Sequence, residues 1–230
     1  MNKTTNNFNL NQQLETFLIL QVKQNVLKIL DNIIPINNSI IPEENKQQLL
    51  EFVDKITKNI QQPSFNYFGQ NLAVSIETRN SSTATNVRSF DAHQKIEIEI
   101  SSNDDNTSTN TGHIDPVSSI YIPETTYEDT QTDIKIISTA YKKDTFFSKS
   151  STNQTIGSYI MSASIKGQKI ENLTVPINLK FEINETMYDA SNGTCVFWEL
   201  GKKFVFFLVL LLTFSWLKNF YACVKTQELT

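Results

Sequence analysis

The chain has 230 residues, a formal net charge of −4 and only 39% hydrophobic residues, which leaves room for one ordinary domain or two small ones. That acidic balance excludes a nucleic-acid binder, which needs a clustered basic surface, and six Gly and six Pro exclude a collagen-like or linker-like chain. Two Cys exclude a disulfide-dense mini-domain and a four-Cys zinc site.

The N-terminal stretch from Met1 to Phe17 has no apolar core of the length a signal peptide needs, and Phe17-Leu18-Ile19-Leu20 is too short for one. Residues 10–34 show helical spacing, with Leu10, Leu14, Phe17, Leu18, Val22, Val26, Ile29 and Ile33 near one face. Pro42, followed by Glu43 and Glu44, predicts the start of a second helix: proline suits the first turn and the carboxylates suit the positive end of the dipole. The expected buried face of this helix is Leu49, Phe52, Val53, Ile56 and Ile60. Two such helices form an antiparallel pair with one apolar side in need of a partner.

From Pro63 onward the period changes to two. Leu72, Val74 and Ile76 alternate with Ala73, Ser75 and Glu77, and Ile96, Ile98 and Ile100 alternate with Glu97 and Glu99. Val117–Pro123, Ile134–Tyr141, Ser158–Ile165 and Leu173–Ile183 continue the series, with Pro176 fitting an edge or a bulge. Short strands with no helix between them predict an antiparallel β-sandwich. The fold class expected is α+β: a helical region over 1–62, a β-sandwich over 63–200, and a membrane helix with a short tail over 201–230.

That last segment holds most of the hydrophobicity. Phe204 to Leu217 is uncharged, and Phe220–Val224 extends it past Lys218 and Asn219. A membrane helix needs about 20 residues to cross ~30 Å of hydrocarbon, so Phe204–Val224 is just long enough if Lys218 snorkels. The expected partner there is the lipid bilayer; a buried core helix or strand pair is the other reading of the run. If the helix spans, Cys195 and Cys223 lie on opposite sides of the membrane and cannot bond, which leaves Cys195 without its partner.

Chemistry-bearing motifs are few. Asn-x-Ser/Thr sequons fall at Asn2, Asn37, Asn80, Asn106, Asn153, Asn172, Asn184 and Asn192; Asn80, Asn106, Asn153, Asn172, Asn184 and Asn192 are the glycosylation candidates. His93 and His113 sit in polar loops without the spacing of a catalytic or metal site, and Asp104-Asp105 lacks the remaining oxygens of a calcium loop. No catalytic residue, cofactor site or metal site is expected.

The segment Asn192-Gly193-Thr194-Cys195-Val196-Phe197-Trp198-Glu199-Leu200 resembles the first half of the GPS motif, which ends the GAIN domain of adhesion G-protein-coupled receptors and polycystin-like proteins. Ser158–Lys166, Asn172–Ile177, Tyr121-Ile122-Pro123, Ile136–Phe147 and Asn71–Ile76 follow the strand order of that family, so the resemblance covers roughly residues 45–200. It singles out Cys195, Phe197 and Trp198 as a GPS-like motif. It implies an extracellular, non-enzymatic, receptor-like module with an extracellular protein partner whose identity the residues do not reveal. Members that cut themselves carry a His-Leu-Ser/Thr tripeptide, in which the His activates the hydroxyl for attack on the preceding carbonyl. No His follows Cys195 in this sequence, so self-cleavage is not expected. The final strands of the family's domain are also missing from the pattern, leaving a sheet edge open or covered by residues 201–230. A rival from another class is a tail-anchored protein with a cytosolic interaction domain. A second rival, a β-sandwich hydrolase, would need two converging carboxylates, whereas Glu97, Glu99 and Glu182 are expected to point outward.

Overall fold

The computed structural model describes residues 3–35, 40–92, 94–102, 115–126, 133–147, 154–168, 175–182, 193–199 and 219–226. Helices α1 (Lys3–Ile33) and α2 (Glu43–Lys58) lead into strands β1 (Ser64–Phe68), β2 (Leu72–Asn80), β3 (Thr85–Ala92), β4 (Lys95–Ser102), β5 (Ser118–Ile122) and β6 (Asp133–Tyr141). There follow β7 (Gln154–Ile156), β8 (Ile160–Ile165), β9 (Asn178–Phe181), β10 (Gly193–Glu199) and β11 (Asn219–Thr226). All the pairings are antiparallel. The larger sheet runs β1-β2-β6-β8-β11-β10, with β7 also on β11; the smaller runs β4-β3-β5-β9. The expected helix pair followed by antiparallel sheets is therefore the observed α+β architecture.

The larger sheet is the middle layer. On one face Leu72, Val74, Ile76, Ile137, Tyr141 and Ile160 pack with Leu27, Leu30 and Ile34 of the α1 region and with Leu50 and Val53 of α2. On the other, Ala73, Ile134, Ile136, Ala140, Met161 and Ala163 meet Val87, Ile96, Ile98, Ile100 and Ile120 of the smaller sheet. Strands covered on both faces bury successive residues rather than alternate ones, which is why Leu72–Ile76 and Ile136–Tyr141 are buried throughout. In the smaller sheet one face stays toward water, and β4 keeps the clean alternation expected of Ile96, Ile98 and Ile100.

Both helices bury part of the face expected, Val26 and Ile33 on α1 and Leu49, Val53 and Ile60 on and after α2, together with residues off it. On α1 the residues facing the sheet are Leu27, Leu30 and, just beyond its end, Ile34, while Leu14, Phe17, Leu18, Val22 and Ile29 are exposed. The helix is apolar on more than one side, through Leu18-Ile19-Leu20, Val26-Leu27 and Ile29-Leu30, so its pattern admits two rotations. On α2 the buried positions are Lys46, Leu50, Val53 and Thr57, and Phe52 is exposed. The expected dipole signals do hold: Glu43 and Glu44 occupy the first turn and Lys55 and Lys58 the last.

What selects the rotation of α1 is Asp31, a carboxylate only 6% exposed. Its Oδ1 accepts from the backbone N–H of Asn71 (2.6 Å) and Leu72 (2.8 Å), and its Oδ2 from Gln70 (3.1 Å). The Asn71 side-chain amide returns a hydrogen bond to the Asp31 carbonyl at 3.2 Å. These N–H groups belong to the turn between β1 and β2, closed by Gly69 N–H to Leu72 O at 2.9 Å. A Cβ on Gly69 would lie 2.6 Å from the Asp31 carboxyl carbon, so only glycine lets the acid approach. Burial, and then the negative charge of Asp31, push the phenol of Tyr67 well above its ordinary pKa.

The expected membrane helix over Phe204–Val224 is corrected at its C-terminal end. Residues 219–226 form β11, an extended strand between β10 on one side and β7 and β8 on the other. Glu199 and Asn219 are Cα partners, so the ends of the intervening stretch are neighbours. A helix that crossed the bilayer once would carry its ends to opposite faces, about 30 Å apart. Among the described residues no helix is long and apolar enough to cross a membrane; residues 200–218 lie outside them. The sheet edge expected to be open or covered by residues 201–230 is thus supplied in part by β11. Of the expected strand Leu173–Ile183, Asn178–Phe181 is strand and 175–177 and 182 are not, while 173, 174 and 183 lie outside the described residues.

Removing the Asp31 carboxylate leaves buried N–H donors unsatisfied, each costing about 1–3 kcal/mol. Asp31→Ala is expected to lower the unfolding free energy by at least about 3 kcal/mol in a urea titration, and Gly69→Ala by a similar amount through the clash. On α1, Leu30→Ala is expected to cost about 2–5 kcal/mol and Ile29→Ala less than about 0.5. The reverse order would mean that the other face of the helix is the buried one.

Candidate functional site

The segment with the most specific sequence signal, Cys195-Val196-Phe197-Trp198, lies in β10, at one edge of the larger sheet. β10 pairs with β11 from Gly193↔Lys225 to Glu199↔Asn219, and this register sets Phe197 opposite Tyr221 and Trp198 opposite Phe220. Cys195 lies directly opposite Cys223. That corrects the expectation that the two cysteines are held apart: it depended on a helix where β11 runs. Directly opposed residues in an antiparallel pair have Cα atoms about 4.5–5.5 Å apart, inside the ~4.4–6.8 Å range that a disulfide spans.

β11 is an interior strand. It meets β8 at Tyr221↔Met161 and β7 at Val224↔Ile156, so the motif strand β10 reaches the rest of the sheet through it. Thr194 and Cys195 face Val224 and Cys223 across this ladder, and Val224 continues the register to Ile156.

The end of the sandwich next to β8 carries a polar cluster that the sequence did not reveal. Asp91, at the end of β3, accepts from the Lys142 ammonium at 2.8 Å and from the Tyr159 hydroxyl. The Lys142 ammonium also lies 5.8 Å from the centre of the Tyr159 ring, within cation–π range. Partial burial alone would raise the pKa of Asp91, but the hydrogen bonds from Lys142 and Tyr159 and the Lys142 charge outweigh it, and the carboxyl is held below its usual range. The Tyr159 phenol is pushed well up by burial and by its bond to Asp91. Asp91 belongs to the smaller sheet and Lys142 and Tyr159 flank β6 and β8 of the larger, so the cluster ties the two sheets at one end. No local signal marks it, because the three residues are far apart in the chain.

Of the glycosylation candidates, Asn80 falls among the described residues. It is exposed at the end of β2, and its Oδ1 accepts from the Ser82 N–H at 2.9 Å in the tip of the β2–β3 hairpin. Asn106, Asn153, Asn172, Asn184 and Asn192 lie outside the described residues, as do His93, His113, Asp104 and Asp105. Glu97 and Glu99 alternate with buried isoleucines on the outer face of β4. Among the described residues no group of three His, Cys, Asp or Glu side chains is placed to hold a metal ion.

Comparison with known proteins gives two findings. The family model for GAIN subdomain B, under the name GPS, matches residues 74–203, more than half of the chain. Among solved structures, the full extracellular region of zebrafish Gpr126/Adgrg6 is similar in fold with a TM-score of 0.64 at 16% sequence identity. The match covers 92% of this chain and 30% of that one, so the chain spans about a third of the length of the structure it resembles.

The Asp91 carboxyl has a folded pKa below its unfolded value of about 3.9, so its contribution to stability is complete above that value and fades as pH falls through the folded pKa. The group is partly exposed, which limits the contribution to no more than about 1 kcal/mol. Asp91→Asn is therefore expected to be less stable than the wild type by up to that amount at pH 7, with the gap closing below about pH 4. Unfolding titrations across that range measure it; a gap that is flat with pH would mean that the ion pair contributes nothing.

Proposed function

The chain belongs to the GAIN subdomain B family, and from that membership we propose that it is a receptor-type extracellular module which holds its last strands in place without cutting itself. The observation that carries this reading is the β10–β11 ladder, which sets the GPS-like residues Cys195, Phe197 and Trp198 inside a continuous sheet. Residues 193–230 contain no His and no His-Leu-Ser/Thr tripeptide. Without that base the Ser/Thr hydroxyl is not activated for attack on the backbone carbonyl. The module acts by binding and by mechanical continuity rather than by catalysis.

In an oxidising compartment the opposed cysteines close as a Cys195–Cys223 disulfide, which makes the β10–β11 connection covalent. Asn80, exposed at a hairpin tip, carries a glycan, as do the other sequons of the body. The uncharged run Phe204–Leu217 is the part of the chain proposed to contact the bilayer. An uncharged run of this length suits membrane contact better than a single crossing. The domain then stands between an extracellular protein partner and the membrane surface. A cytosolic tail anchor would need the span whose C-terminal part is β11, so that reading is not carried forward.

Expression of the chain in glycosylating cells tests the proposal. The expected outcome is one polypeptide under denaturing, reducing conditions, whose mobility increases after peptide N-glycosidase treatment and which loses one glycan step in Asn80→Gln. Two fragments that rejoin under native conditions would contradict the uncleaved reading, and an unchanged mobility would contradict the extracellular one.

A further inference from the structure

At the end of the larger sheet opposite Asp31 and Asp91, three lysines from distant parts of the chain converge. Lys135 of β6 donates to the carbonyls of Ile60 (2.8 Å) and Gln62 (2.6 Å) just past the C-terminus of α2. Lys23 of α1 donates to the neighbouring carbonyl of Asn59 at 2.5 Å. Lys166 follows β8 directly opposite Lys135: the pair Ile136↔Ile165 fixes the register, and the Lys166 N–H donates to the Lys135 carbonyl at 2.8 Å.

Two of these ammonium groups have a structural role that accounts for them. Lys23 donates to the C-cap carbonyl of α2 at Asn59, at the negative end of the helix dipole, and Lys135 satisfies the carbonyls of Ile60 and Gln62 in the loop that follows. Lys166 has no such role. Its side chain is exposed and, among the described residues, without an ion-pair partner. Like charges directly opposite each other across a ladder are destabilising, and among the described residues no ion pair offsets the opposition of Lys135 and Lys166. Burial lowers the pKa of Lys23 and of Lys135, and the positive charge of Lys166 lowers both further. Among the described residues no carboxylate contributes in the opposite direction at either one.

We propose that Lys23, Lys135 and Lys166 form a binding site for a tetrahedral oxyanion, a sulfate or phosphate group that enters beside Lys166 and completes the charge balance of the cluster. The ammonium of Lys166 supplies the exposed, charge-assisted contact, and Lys23 and Lys135 supply a fixed positive floor. The site is independent of the GPS-like hairpin and of whether the chain cuts itself. Three point charges recognise the anionic group itself, which a sulfated sugar or a phosphorylated lipid could carry.

The test is a thermal-shift titration of the full chain with sodium sulfate and sodium phosphate against sodium chloride at matched ionic strength. A sulfated tetrasaccharide and vesicles containing a phosphoinositide follow as further probes. The wild type is expected to gain stability with sulfate or phosphate beyond the chloride control. Lys166→Gln, which leaves the α2 cap untouched, is expected to weaken that binding about tenfold, the worth of one hydrogen bond to a charged group, and Lys166→Arg to retain it. A Lys166-dependent response to the tetrasaccharide identifies a sulfated glycan as the source, and one to the vesicles identifies a lipid headgroup. No excess over chloride with any probe, or an equal response in Lys166→Gln, would overturn the proposal.

Discussion

A single buried carboxylate sets the relation between the layers of this domain. Asp31 accepts from three successive N–H groups of the β1–β2 turn, which fixes both the rotation and the axial position of α1 over the larger sheet. The turn it holds is itself a junction. Gly69 O accepts from Ile96 N–H of the smaller sheet at 2.8 Å, and Asn71 O accepts from Lys142 N–H at 2.9 Å. Lys142 in turn reaches Asp91. Helix, middle sheet and outer sheet are therefore joined at one end by a run of hydrogen bonds that begins at Asp31. A buried carboxylate is costly unless every lone pair finds a donor, and here backbone amides provide them.

The middle sheet is what links that end to the GPS-like strand. β2, β6 and β8 are buried on both faces, and β11 adds to β8 so that β10 can add to β11. A module that holds its terminal strands in place needs this continuity. Under the proposed function, load would pass through ladder hydrogen bonds from the helix layer to β10, and a covalent Cys195–Cys223 link would keep β10 and β11 from separating. The family match over residues 74–203 takes in β10, and β11 lies beyond it in the chain and pairs with it in the sheet.

The order of elements was legible from the sequence, because a change from helical spacing to alternation is a strong signal. The family was legible too, from Cys195-Val196-Phe197-Trp198 together with the strands before it. β3 escaped detection for a physical reason: its buried face carries Thr85 and Ser89 on either side of Val87, and Ser89 satisfies its hydroxyl against that of Ser118 at 2.6 Å. β11 escaped because Phe220-Tyr221-Ala222-Cys223-Val224 extends an uncharged run and reads equally well as the end of a helix. The rotation of α1 was ambiguous because apolar residues occupy more than one face. Asp31 was the available clue, an acid in line with Leu27 and Ile34. The polar clusters at the two ends of the sheet have no local signature, since Asp91, Lys142 and Tyr159, like Lys23, Lys135 and Lys166, meet only through the fold.

The most direct measurement is peptide mapping of the secreted or membrane-bound protein, digested without reduction after free thiols are blocked. A disulfide between Cys195 and Cys223 requires both the β10–β11 register and passage through an oxidising compartment, so one observation bears on fold and on location together. The account predicts a linked peptide pair containing both cysteines. Recovery of Cys195 and Cys223 as separately blocked thiols would contradict it.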